Sequence, residues 1–201
     1  YGLLRRCMET YRSDTEGQPD ITLDGTKEDY EKLRKQYPHL SIEECEYSCA
    51  GAEFYMKLLK HQGFMIHASA VEKEGKAYLF SAPSGTGKST HAQLWRQTFK
   101  GEPIRIINDD KPAVCLQNGV FYACGTPFSG KTDKNENRKA PIQGLCMLHR
   151  GKTNKIQKIT SGEALPLILP QTLFYGDEEE TNLLLSFSGF QNGVYYGRRS
   201  G

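Results

Sequence analysis

The segment Ala82-Pro83-Ser84-Gly85-Thr86-Gly87-Lys88-Ser89 constrains this chain more than any other. The run Ala77 to Ser81 before it reads as a strand. After it, Ala92, Leu94, Trp95 and Phe99 supply the apolar face of a helix from about Lys88 to Thr98. A strand that turns through two glycines into a helix opening on Lys-Ser is the setting of a phosphate-binding loop. Gly85 and Gly87 permit backbone conformations that a Cβ penalises, so successive N–H groups can curl around an anion. The helix aims its unpaired N–H groups and positive dipole end at the same point. Lys88 adds a full charge for the β- and γ-phosphates, and Ser89 offers a hydroxyl to magnesium. The expected nucleotide-contacting set is Ser84, Gly85, Thr86, Gly87, Lys88, Ser89 and Thr90. Ala82 replaces the first glycine of the usual pattern.

About twenty residues later the apolar run Ile104 to Ile107 ends in Asn108-Asp109-Asp110. In phosphate-loop proteins a carboxylate at the end of a neighbouring strand holds magnesium. Side chains alternate along a strand, so adjacent acids diverge, one toward the metal and one toward an acceptor hydroxyl. His67 lies on the apolar run before the loop and by spacing alone is most simply a structural histidine.

Composition narrows the rest. A chain of 201 residues suggests a single domain with a small N-terminal annex, and a hydrophobic share of 37% suggests generous loops. A net charge of +2 gives no field that argues for nucleic acid. The longest apolar runs are too short to span a bilayer. The six cysteines include no CxxC pair and read as free thiols of a reducing cytoplasm.

Along the chain, residues 1–62 read as a polar N-terminal segment with a short strand at Ile21-Thr22-Leu23 and a helix from about Ile42 to Gln62. Ser41 and Glu44 are placed as that helix's capping box. Residues 63–185 read as the catalytic domain. Phe64 to Val71 and Ala77 to Ser81 are expected to form an antiparallel hairpin, and so are the strands flanking Gln117-Asn118-Gly119. Leu145 to Leu148 and Ile156 to Ile159 are expected to pair with each other, and a helix is expected near Gly162 to Leu167. Asp177 to Glu180 reads as a solvated turn and residues 186–201 as a loose tail.

His67-Ala68-Ser69-Ala70, Ala82 to Thr90, Asn108-Asp109-Asp110-Lys111-Pro112 and Gly125-Thr126-Pro127-Phe128-Ser129-Gly130-Lys131 stand in the order found in HPr-kinase-like bacterial proteins. Over roughly Phe64 to Thr160 the chain resembles the catalytic domain of HPr kinase/phosphorylase, and more distantly ATP-dependent phosphoenolpyruvate carboxykinase. The resemblance implies an α/β, PEP-carboxykinase-like P-loop domain with a mixed, largely antiparallel sheet and flanking helices. It implies ATP and Mg2+ as cofactors, Asp109 as general base, His67 as a site residue, and Ser89 and Asp110 near the metal. Lys131 is favoured over Arg138 as the basic residue beside the transferred phosphoryl group.

The reading that follows is a cytoplasmic kinase that phosphorylates a serine-type hydroxyl of a small protein or peptide. No nucleic acid or membrane partner is expected, and a homo-oligomer is compatible with the sequence. The second signature of true HPr kinases is not found, which points away from HPr itself as acceptor. The alternatives are an ATP-dependent binding module without catalysis and, last, a carboxykinase, for which arginines near the motifs are few.

Overall fold

The structure is a computed structural model. It describes residues 1–200 except 15, 100, 102, 131, 132, 174, 175, 191 and 192, and of 198–200 the backbone alone. Three helices come first: α1 (Gly2–Met8), α2 (Lys27–Gln36) and α3 (Ile42–Leu58). The capping boxes Thr26/Asp29 and Ser41/Glu44 start α2 and α3. Each serine or threonine side chain accepts from the N–H three residues on, and the acid reaches back. Ile21 to Leu23 form no strand. Their backbone is served by α3 instead: Lys57 donates to the Thr22 carbonyl at 2.8 Å, and Glu53 accepts from Asp24 N at 2.8 Å.

Among the described residues nine strands follow: β1 (Gly63–Met65), β2 (Ala68–Lys73), β3 (Lys76–Ser81), β4 (Arg105–Asn108), β5 (Ala113–Gln117), β6 (Val120–Cys124), β7 (Lys139–Gly151), β8 (Lys155–Ile159) and β9 (Val194–Ser200). Helix α4 (Lys88–Thr98) lies between β3 and β4, and α5 (Ser161–Ile168) and α6 (Glu178–Ser188) lie between β8 and β9. The main path runs β1-β5-β6-β7-β3-β2-β4, and β9 joins the other edge of β7 and carries β8. Pairing is antiparallel except for β3 with β7 and β7 with β9. The result is a curled mixed sheet with flanking helices.

Alternation along the strands divides the core. Ala77 and Leu79 of β3 and Leu145 and Met147 of β7 face a large cluster closed by Ala164, Ile168, Leu184 and Phe187 of α5 and α6. Phe80 and Cys146, on the opposite face, meet Ala92 and Trp95 of α4. Trp95, partly buried, packs against this cluster with its ring centroid 4.9 Å from Tyr78 and 5.2 Å from Phe80. A third cluster joins α3 to β1, β5 and Phe128 through Ala50, Tyr55, Leu58, Met65 and Ala113.

Four local expectations are corrected. Phe64 to Val71 is two strands: β1 pairs with β5, β2 pairs with β3 and β4, and the break falls at Ile66 and His67. β7 and β8 do not pair with each other, because β9 lies between them. Residues 194–200 are therefore a sheet strand, not loose chain, and the backbone bonds they supply outweigh their Gly-rich and polar composition. Asp177 to Glu180 begins α6, with Asp177 as N-cap accepting from Glu180 N, a place where acids favour the helix dipole.

Among the described residues, no helix is long and apolar enough to cross a membrane. All six cysteines are free thiols.

Candidate active site

Strand directions assemble the site. β2 runs antiparallel to β3 and β4, so its first residues meet their last ones. β7 runs parallel to β3, so its far end reaches the same side of the sheet. The start of β2 and the ends of β3, β4 and β7 thus converge, the usual place for a ligand in an α/β sheet.

The loop leaves β3 at the buried Ala82 and crosses Gly85 (φ 76°) and Gly87 (φ 106°), the latter capping α4. A Cβ at Gly85 would meet nothing within 4 Å, so the backbone there faces open space. Thr86 N donates to the Pro83 carbonyl at 3.3 Å, which tightens the turn. Positive-φ glycines in a tight turn, open space beside them and the first turn of an 11-residue helix fit a bound polyphosphate.

Lys88 is 7% exposed and folds back over the loop, with Nζ 3.0 Å from the Ala82 carbonyl and 3.0 Å from His67 Nε2. Burial pulls its ammonium below the ordinary lysine value, against the charges of Asp110 and Asp109, which hold it up. Both acids therefore lie within electrostatic reach of the loop lysine.

His67 sits at the break between β1 and β2. Its Nε2 is also 3.3 Å from Asp110 Oδ1. That nitrogen faces an ammonium donor and a carboxylate acceptor, and a neutral imidazole can satisfy only one of them at a time. Asp110 receives Lys111 Nζ on its other oxygen. Burial pushes the Asp110 carboxyl up, but the hydrogen bonds from His67 and Lys111, and then their charges, outweigh it and hold it down at about 2.

Asp109 is held differently. It is 3% exposed, its Oδ1 accepts from Ser69 Oγ at 2.7 Å, and its N–H donates to the Lys134 carbonyl at 3.0 Å. The two acids, both just past the end of β4, thus have different partners: Ser69 for Asp109, and His67 and Lys111 for Asp110.

Several residues that fix the site were not among the expected site residues. Asn108, fully buried, accepts from the N–H groups of Asp110 and Lys111 at 2.9 and 2.8 Å. Its amide donates to Thr126, through the carbonyl at 3.0 Å and the hydroxyl at 3.1 Å. Tyr55 of α3 reaches the same point, donating to the Lys111 carbonyl at 2.5 Å. Gly130 closes behind Asp110, where a Cβ would lie 2.7 Å from Oδ2. Arg150, on the last turn of β7 toward the loop, donates from Nη2 to the Gly85 carbonyl at 2.7 Å. The sequence gives it no signal, since the expected strand stops at Leu148 and the parallel course of β7 is not written locally.

Of the remaining expected residues, Ser89 occupies the first turn of α4 and is half-buried, while Thr90 is exposed on that turn. Ser84 and Thr86 belong to the loop, Ser84 exposed and Thr86 half-buried. Lys131 lies outside the described residues. Arg138 is committed elsewhere, to Glu72 near the far end of β2 and to Glu136 at 3.3 Å. Among the described residues no group of three or more His, Cys, Asp or Glu side chains forms a ready metal centre. A magnesium ion here would rely on few protein ligands and on phosphate oxygens, as this ion commonly does.

No family model matches the chain, and no curated protein matches it in sequence. Among solved structures it is similar to the Hpr(Ser) kinase/phosphatase from Coxiella burnetii. The two are 12% identical, with a TM-score of 0.34 over 47% of this chain and 77% of that one.

Proposed function

We propose that this chain transfers the terminal phosphoryl group of ATP to a serine-type hydroxyl of a small protein or peptide. The observation that carries the reading is the convergence of Lys88 and Asp110 on one nitrogen of His67, beside a positive-φ loop that opens a helix. Lys88, the loop N–H groups and the start of α4 bind the β- and γ-phosphates. Ser89 and Asp110 would hold magnesium, which when bound neutralises charge on the phosphate oxygens.

The two acids then take different tasks. Asp110 meets the loop lysine Lys88 through one nitrogen of His67, so it suits the metal beside the phosphates. Asp109 takes the proton from the acceptor hydroxyl, and Ser69 Oγ holds the carboxylate in its orientation. Lys131 keeps its proposed place beside the transferred group. Arg150 anchors the loop through Gly85. The free thiols suit a reducing compartment such as the cytoplasm.

The test is incubation with γ-labelled ATP and serine-containing peptides and small proteins, beside direct measurement of ATP binding. Lys88→Ala is expected to lose both binding and transfer. ATP binding without label on any acceptor favours a nucleotide-dependent binding module, and no Lys88-dependent ATP binding sinks both readings.

A further inference from the structure

A cavity of about 210 Å³ lies between α3 and the Thr126–Gly130 loop, and Lys111 forms part of its wall. Tyr47, Gly51 and Tyr55, one stripe of α3, pack on the Phe128 ring, and these residues with Met65 and Leu173 line the space. Both tyrosine hydroxyls are spent elsewhere: Tyr47 on the Pro127 carbonyl and Ser129 N–H, Tyr55 on the Lys111 carbonyl and Thr126. What remains toward the space is mostly aromatic ring, methylene and methyl, with the Ser48 hydroxyl at its exposed edge. Lys111 brings the one charged group, and its ammonium is bonded to Asp110.

We infer that this cavity receives an apolar side chain, leucine- or phenylalanine-sized, that neighbours the acceptor hydroxyl in a peptide substrate. The inference rests on the phosphotransfer reading for its location and on the cavity walls for its chemistry. Lys111 follows Asp110 in sequence and touches it in space, so the cavity continues the reaction centre. An extended peptide advances about 3.8 Å per Cα step, so residues flanking the acceptor hydroxyl are the ones that a cavity bordered by Lys111 would receive. Walls whose one free polar group, among the described residues, is the Ser48 hydroxyl at the exposed edge give a phosphate, a sugar or a charged side chain too little to pair with, and burying such a group unpaired is costly. An apolar cavity of about 150 Å³ accommodates a benzene ring, so the volume suits one large hydrophobic side chain. Helix α3 gains a task by this reading: it is one wall of the acceptor site.

The test uses the full chain carrying 13C-methyl methionine and short synthetic peptides with one serine flanked, on either side, by Leu, Phe, Gly or Glu. The Met65 methyl reports occupancy without turnover, and Met65→Leu assigns its signal among the four methionines. Leu and Phe peptides are expected to shift it and to saturate at roughly tenfold lower concentration than Gly or Glu peptides. Ala52→Phe and, separately, Ser48→Phe crowd the opening from the exposed side of α3 and are expected to abolish that preference, with ATP affinity unchanged. A Met65 signal that no peptide moves, that all peptides move alike, that ATP alone moves, or whose preference survives both variants overturns the inference. Occupancy by Leu and Phe peptides without any label transfer from ATP upholds the cavity assignment and sinks the phosphotransfer reading instead.

Discussion

Lys88 Nζ and His67 Nε2 lie 3.0 Å apart, and the same imidazole nitrogen stands 3.3 Å from the Asp110 carboxylate. Drawing Lys88 onto a triphosphate leaves that nitrogen to the acid. In the proposed reaction, nucleotide binding and the orientation of Asp110 would thereby be linked through one ring, a role for the histidine that spacing along the strand does not reveal.

That linkage has a pH signature. The folded value for Asp110, about 2, lies below the ordinary aspartate value of about 3.9. The stability it confers is therefore fully present above about pH 4 and is lost as pH falls through about 2, an effect of roughly 2 kcal/mol in all. His67→Ala removes one of the two groups that depress it. The Asp110 carboxyl is expected to titrate closer to the ordinary value in a 13C-monitored titration of the variant. Denaturant unfolding should show a smaller loss of stability between pH 4 and pH 2 than in the parent protein. An unchanged titration would falsify the His67 contact.

Asp109→Asn is expected to leave ATP affinity within a few-fold of the parent and to lower turnover by about 10²- to 10⁴-fold, the usual span for removing a general base. Nucleotide binding by fluorescence and transfer of labelled phosphate measure the two parts separately. Near-normal turnover in this variant rules Asp109 out as the base.

Arg150 donates to the loop at the Gly85 carbonyl from an exposed position, so its removal acts through the loop more than through the core. Arg150→Ala is expected to weaken ATP binding about fivefold, in line with about 1 kcal/mol for a hydrogen bond from a charged donor exposed to water. Arg150→Lys should recover part of that loss. Unaltered affinity in both variants would show the contact to be incidental.

Gly130 has φ +68° and lies against the Asp110 carboxylate. Gly130→Ala combines backbone strain of about 1 kcal/mol with a methyl group forced onto Oδ2. Stability measured in denaturant should fall by at least that amount, and transfer activity should fall with it. A variant as stable and active as the parent means that the loop can withdraw from Asp110.

The Tyr55 hydroxyl gives a check on the N-terminal helices. It donates to the Lys111 carbonyl from a buried ring. Tyr55→Phe deprives that backbone acceptor of one donor and is expected to cost about 1–3 kcal/mol of unfolding free energy. A loss well below 1 kcal/mol would show that Thr126, which also donates to this carbonyl, suffices alone.

The features legible in the sequence are those decided within a few residues. The Gly85–Gly87 turn into α4, the Ser41/Glu44 cap and the tight hairpin at Asn118-Gly119 all depend on local backbone preference and short-range hydrogen bonds. The Asp109-Asp110 pair was visible for the same reason, as a polar break after an apolar strand. The features that stayed hidden depend on which distant segments meet. β9 separates β7 from β8 because an open sheet edge needs backbone partners, and no side-chain pattern near residue 194 announces that need. Arg150 reaches Gly85, 65 residues away, because β7 runs parallel to β3. Tyr55 reaches Lys111 because α3 buries its apolar stripe on β1 and Phe128 rather than standing apart as a polar annex. Sequence by itself determined the turn of the loop into its helix and the polar break that carries the two acids. Tertiary structure decided what surrounds them, since burial and strand pairing reward contacts between residues far apart in the chain, which no local window contains.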